Sequence, residues 1–272
     1  LAVGHWPVPN TPMEAAEQYL LDSLRKGDCQ LESQTFLDVR DALAARLKER
    51  RDGLPYEPRH TARTLDDDYA AWAVGEWASL LHRSQDAQKY HEIAANYRTL
   101  WNPATGFFGA KDSNSKWLPA KDPRVIDDTY LYEGTMWQYR WTVPYDIAGL
   151  VKMQGGTQKS AEALHKFFEE NLFTIANEPD INYPYLFDYL GQPWLTQEYV
   201  HRILLEPMKN IYGSHTFYPT PVIQKAFRAT PDGLLPEMDD DGGTMSAWFV
   251  LSSVGIYPVT MGEPGYFLTT PI

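Results

Sequence analysis

Apolar residues recur at a helical period along most of the chain. Thr11-Pro12-Met13-Glu14 reads as a capped helix start, and Ala16, Leu20 and Leu24 follow at i, i+4 spacing. A second helix is predicted over 35–51, with Leu37, Ala44 and Leu47 on one side and a basic end that suits the helix dipole. A third fits 65–82, with Ala70, Ala73, Val74, Trp77, Leu80 and Leu81 as a wide apolar stripe. A fourth fits 86–101 and a fifth 133–141, interrupted at Pro144 and resuming to Met153. A sixth covers 157–168, a seventh 196–211, and an eighth 244–254, closed by Gly255. Strand-like alternation is confined to 257–260 and 265–270. The pattern predicts an all-α fold of paired helices whose loops carry most of the Pro, Gly, Asp and Trp.

Composition narrows the function classes. No run of 18 apolar residues occurs, so no membrane-spanning helix is expected. The net charge is −12 and no basic patch is visible, which argues against nucleic acid. Cys29 is the single cysteine, which excludes an intrachain disulfide and a cysteine-ligated zinc site. Aromatic residues make up 14% of the chain, a load that suits a thick core or a cleft that stacks on sugar rings. The sequence begins at Leu1 without a signal-peptide pattern and ends in a strand-like Thr269-Thr270-Pro271-Ile272. Both ends, and a helix count low for a closed ring, lead us to expect a segment of a longer chain.

Three stretches can carry chemistry. Glu133 sits where a loop enters a helix among aromatic neighbours, a setting that raises a carboxyl pKa as a general acid requires. The plainer reading makes it a helix cap. Asp239-Asp240-Asp241-Gly242-Gly243 brings three carboxylates to a turn. They suit a general base and a hard cation such as calcium, or an acidic turn capping the helix near Thr244. Asn177-Glu178-Pro179-Asp180-Ile181-Asn182 offers oxygen ligands or partners for sugar hydroxyls, and equally a simple turn. Asp66-Asp67-Asp68 is accounted for by capping of a helix start. No histidine pair of metal-site spacing, no G-x-S-x-G elbow and no phosphate-binding glycine loop is present.

These motifs resemble glycoside hydrolase family 92. The resemblance rests on E-G-x-x-W-Q-Y-x-W-x-V-P-x-D-x-x-G-L over 133–150, N-E-P-D over 177–180, and D-D-x-G-x-M-S-A-W-x-V-x-S-x-x-G-x-Y-P-V over 240–259. The block at 64–72 matches more loosely, and the whole extends from about residue 60 to the end. The resemblance implies a calcium-dependent, inverting exo-α-mannosidase that acts on α-mannosides or N-glycan-type oligosaccharides. It implies an (α/α)6-type helical toroid. Residues 1–272 would then be a single catalytic-type domain, incomplete and dependent on a missing N-terminal portion that includes a β-sandwich. It also implies a secreted or periplasmic location, and no nucleic-acid or membrane partner.

Carried over residue by residue, Glu133 matches the general acid and Asp241 the base, with Asp239 or Asp240 as its partner. Gln138, Asn177 and Glu178 fall near the calcium or the sugar. Trp137, Trp194, Asp180, Asn182 and Asp240 are expected to contact substrate, and Trp141 and Trp248 are further candidates for the cleft wall. Where many members read N-E-P-S-H-H, this chain has Ile181-Asn182 in place of the two histidines, which puts linkage specificity in question. An inverting pair should hold its carboxyls about 6.5–9.5 Å apart. The alternatives are a metal-independent inverting α-glucosidase-type toroid and a non-catalytic carbohydrate-binding or structural segment.

Overall fold

The computed structural model describes residues 29–52, 59–112, 114–213, 216–235, 238–260, 263 and 265–272. The helix expected after Thr11 lies outside them. Helices dominate, joined by long loops and a few short strands, so the all-α class holds. Among the described residues no helix is long and apolar enough to cross a membrane.

The described residues divide into two compact units, 29–52 with 70–94 and 59–69 with 95–272. In the first, helix α1 (Cys29–Asp52) buries Phe36 and Leu43, two turns apart on one face. Helix α2 (His60–Leu80) contributes its second half, and α3 (Ser84–Ala94) completes the unit. Phe36 meets Trp77 edge-to-face at 5.6 Å, and the Tyr90 hydroxyl donates to the Arg40 carbonyl at 3.1 Å. Gly75 lets α3 approach closely, since a Cβ there would lie 2.4 Å from the His91 ring.

The second unit holds the candidate chemistry. It contains α4 (Tyr97–Leu100), the two-residue strands β1 (Trp101–Asn102) and β2 (Phe107–Phe108), α5 (Met136–Tyr139) and α6 (Ile147–Met153). Then follow α7 (Thr157–Glu169), α8 (Leu186–Tyr189), α9 (Pro193–Leu205), β3 (Pro207–Gly213) and β4 (Thr216–Lys225). Last come α10 (Thr244–Val254), β5 (Ile256–Tyr257) and β6 (Phe267–Leu268). The core is aromatic: Phe168 stacks on Tyr199 with centroids 4.2 Å apart, and Tyr185 on Tyr257, also at 4.2 Å. Each such ring removes 150–250 Å² from water, so this core is a large share of the unit's stabilisation.

Four expectations need correction. The seventh helix ends at Leu205, because Pro207 forces Glu206 into an extended backbone (φ −109°, ψ 157°). Residues 207–213 and 216–225 then pair as two antiparallel strands that the helical reading overlooked. The fifth helix shrinks to the single turn of α5, and the chain leaves helical geometry at Val143 (φ −143°, ψ 63°) ahead of Pro144. The fourth breaks after Ala94 and ends in β1. Helix α2 starts at His60, five residues earlier than the apolar stripe indicated, so Asp67 and Asp68 lie within it. Both are 1% exposed, so they are buried acids rather than caps of a helix start.

Candidate active site

Three loops of the second unit converge. The first carries Glu133, whose backbone is left-handed (φ 49°), a conformation uncommon outside glycine and found where surrounding structure enforces it. The enforcement is visible on both sides. Tyr139 donates from its hydroxyl to the Tyr132 carbonyl at 2.7 Å. Gly134 must lack a side chain, since a Cβ there would lie 2.8 Å from the Tyr139 ring. Helix α5 is capped by Thr135, not Glu133. Gln138 N donates to the Thr135 hydroxyl at 3.2 Å, and Thr135 N donates to Gln138 Oε1 at 2.8 Å, a reciprocal capping box. Glu133 is thereby relieved of the capping role that its sequence position allowed.

The second loop is the turn at 176–182. Asn177 Oδ1 accepts from Glu178 N at 2.9 Å, while its Nδ2 donates to the Glu133 carbonyl at 3.3 Å. Trp248 of α10 donates from Nε1 to the Ile181 carbonyl at 2.8 Å, and Tyr257 donates to Asn182 Oδ1 at 2.9 Å. The third loop, 238–243, is tied to the second by Asp239 N, which donates to the Ala176 carbonyl at 3.0 Å.

The electrostatics follow from this convergence. Tyr132 is hydrogen-bonded to the Glu133 carboxylate. That bond, followed by burial and by repulsion from Glu133 and Asp239, raises its hydroxyl pKa. The Arg59 guanidinium, 4.2 Å above the Tyr132 ring, opposes the rise. Burial raises the Glu178 carboxyl, and the neighbouring Asp239 and Asp241 carboxylates push it further. Glu133 and Asp239 thus both act on Tyr132, and Asp239 and Asp241 both act on Glu178, which links the acids of the three loops pairwise. Arg59 escaped the sequence reading; Tyr132 stood in it only as the aromatic neighbour of Glu133, without a role of its own.

Other expected residues take structural roles. Asp240 accepts from Met245 N at 2.8 Å, from Ser246 N at 3.0 Å and from the Ser246 hydroxyl at 2.7 Å. Both its oxygens accept from the first turn of α10, so it caps that helix. Asp180 has no exposed surface and accepts from Thr174 N at 2.8 Å and from Gln138 Nε2 at 3.2 Å. Burial holds its pKa well above the usual carboxylate range, and it cannot touch a solute. Trp137 is likewise core: it packs on Phe107 at 5.2 Å and is 7% exposed. Trp141 and Trp248 are buried as well. Trp194 is exposed, but stands beside α7 and apart from the three loops. Gln138 is buried, with its amide engaged by Thr135 and Asp180.

Glu178 Oε1 is buried without a hydrogen-bond partner and faces two further carboxylates, an arrangement that a cation would relieve. The donors are oxygens, which suit calcium rather than zinc. Among the described residues no three His, Cys, Asp or Glu side chains are grouped closely enough to hold a metal by themselves. Carbonyl, amide, water or sugar oxygens would complete the shell.

A helical scaffold that presents acid-bearing loops suits acid–base chemistry. The sequence pattern of the glycosyl hydrolase family 92 catalytic domain matches residues 41–215 and 218–272, and the chain belongs to that family. A GH92 glycosyl hydrolase, ccman5, superimposes with a TM-score of 0.71 at 30% identity over 80% of this chain and 32% of its own. The GH92 inverting mannosidase BT2199 of Bacteroides thetaiotaomicron gives 0.67 at 27% identity over 82% of this chain and 31% of its own. An uncharacterized secreted glycosidase of Arthroderma benhamiae is 24% identical over 237 residues, 78% of this chain and 27% of that protein. The chain thus spans about a third or less of the relatives it matches.

Proposed function

We propose that this chain supplies the catalytic residues of an inverting, calcium-dependent exo-α-mannosidase that removes terminal α-linked mannose from N-glycan-type oligosaccharides. The observation that carries the reading is the meeting of the Glu133 loop with the Asp239–Asp241 loop through Tyr132, Asn177 and Glu178. The mannosidase named among the solved relatives supports the substrate class.

In this reading Glu133 donates its proton to the glycosidic oxygen as the bond to the anomeric carbon breaks. Asp241 accepts a proton from water, whose oxygen bonds to that carbon on the opposite face and inverts it. Asp239 lies beside Glu178 and Tyr132 and orients the base. Glu178 and Asn177 would hold calcium, which supplies a positive charge for sugar hydroxyls and favours the flattened ring of the transition state. A secreted or periplasmic location is supported by the description of the fungal relative. We further propose that activity needs a chain of the relatives' length, of which this segment is the helical part.

Turnover of an aryl α-mannoside by the whole protein, before and after chelation, tests the reading. Activity that disappears with chelator and returns with calcium supports it. Full activity after exhaustive chelation removes the metal, and absence of turnover with calcium present removes the activity.

A further inference from the structure

A second groove lies outside the three loops. It has a volume of about 880 Å³ and runs between α7 and the start of α9. On α7 its wall is one helical face, Gln158, Glu162 and His165, spaced as i, i+4, i+7. Facing them is Trp194, which is 59% exposed although it is among the largest apolar side chains in the protein. Pro193 at the first helical position and Gln192 at the cap fix the backbone that presents the indole. Leu190 lines the groove and is buried.

The chemistry here is mixed in a particular way. An indole carries a negative π face, which attracts the weakly positive C–H bonds on one side of a pyranose ring. Gln158 donates to Glu162 at 3.0 Å, giving an amide and a carboxylate side by side. Such a pair offers one donor and several acceptors to neighbouring hydroxyls at the ring edge. The size falls in the range of small-molecule sites. None of these residues belongs to the loops of Glu133, Asn177 or Asp239.

We propose that this groove is a second saccharide-binding site, in which Trp194 stacks on a hexopyranose ring and the Gln158–Glu162 pair bonds its hydroxyls. It holds glycan on the catalytic domain, at residues outside the three acid-bearing loops, without cutting it. The site rests on the glycosidase reading only for the choice of sugar.

The test uses the whole protein carrying Glu133→Gln, so that sugar is not consumed, with its tryptophans labelled with ¹⁵N. Methyl α-D-mannopyranoside and α-1,2-mannobiose are the probes. The expected result is a saturable shift of the Trp194 indole N–H resonance, identified by its loss in Trp194→Phe, with affinity in the millimolar range. Gln158→Ala should weaken that binding about tenfold, the effect of losing one or two hydrogen bonds. A Trp194 resonance unmoved by either sugar overturns the proposal. So does a Trp194 that acrylamide cannot quench, since another part of the protein then fills the groove. Turnover without this shift refutes the second site alone, whereas the shift without turnover in the protein with Glu133 restored refutes the catalytic reading alone.

Discussion

Asn177 donates its side-chain amide to the Glu133 carbonyl at 3.3 Å, so the loop of the proposed acid is pinned by the loop that carries Glu178. The same side chain accepts from Glu178 N at 2.9 Å. One residue therefore sets the spacing of two carboxylates and helps to keep Glu133 in its left-handed conformation.

Asn177→Ala should therefore cost both stability and activity. Two hydrogen bonds at about 0.5–1.5 kcal/mol each predict a loss of about 1–3 kcal/mol in chemical denaturation. Asn177→Ser keeps an acceptor for Glu178 N but is too short to reach Glu133. It should recover part of the stability and little of kcat/KM. Full activity in Asn177→Ala would show that the pin does not position Glu133.

For the acid itself, Glu133→Gln should lower kcat on natural glycans by about two to four orders of magnitude. Aryl mannosides with strongly acidic leaving groups need less protonation and should lose less. Equal losses on both substrates would remove Glu133 from that role.

The adjacent acids Asp240 and Asp241 should separate cleanly. Asp240→Ala strips the cap of α10 and should cost about 0.5–2 kcal/mol of stability. Asp241 is exposed and makes no cap to α10 through its carboxylate, so Asp241→Ala should leave stability within about 0.5 kcal/mol while abolishing turnover. Thermal melts and rates on the two variants check this. A melting point that falls in Asp241→Ala and not in Asp240→Ala would reverse the assignment.

The sequence made the scaffold partly legible. The period of 244–254 and the glycines around it define α10 correctly, because a buried stripe between two left-handed glycines leaves a clear trace. The strand pair 207–213 and 216–225 was hidden, because apolar residues continue the helical period of 196–204 into it and only Pro207 marks the change. At the site, resemblance pointed to Glu133 and Asp241, while the local pattern could not decide between cap and chemistry. The structure assigns the capping to Thr135 and Asp240 instead. The tryptophans were least legible: Trp137 and Trp194 both stand near the start of a helix, yet one fills the core and the other is exposed. Burial depends on elements distant in the chain, which local spacing does not encode.

Asp188 of α8 provides a pH test. Burial pushes its carboxyl up to about 6, against the opposing effect of the Thr196 hydroxyl. An unfolded aspartate titrates near 3.9, so the folded state holds the proton more tightly between these values. Stability should be highest below about 4 from this group and decline as pH rises through about 6. Asp188→Asn should flatten that decline in denaturation curves. An unchanged slope would mean that Asp188 ionises as it does in water.

The stereochemistry of the first-formed sugar tests the central claim most directly. A proton from Glu133 on one face and a water activated by Asp241 on the other require inversion, with the carboxyls about 6.5–9.5 Å apart. Proton NMR of the whole protein acting on an aryl α-mannoside should show β-mannose first, with the α anomer growing only as the product equilibrates in water. α-Mannose appearing first would demand a covalent, retaining route and would contradict the assignment of Glu133 and Asp241 as an acid–base pair.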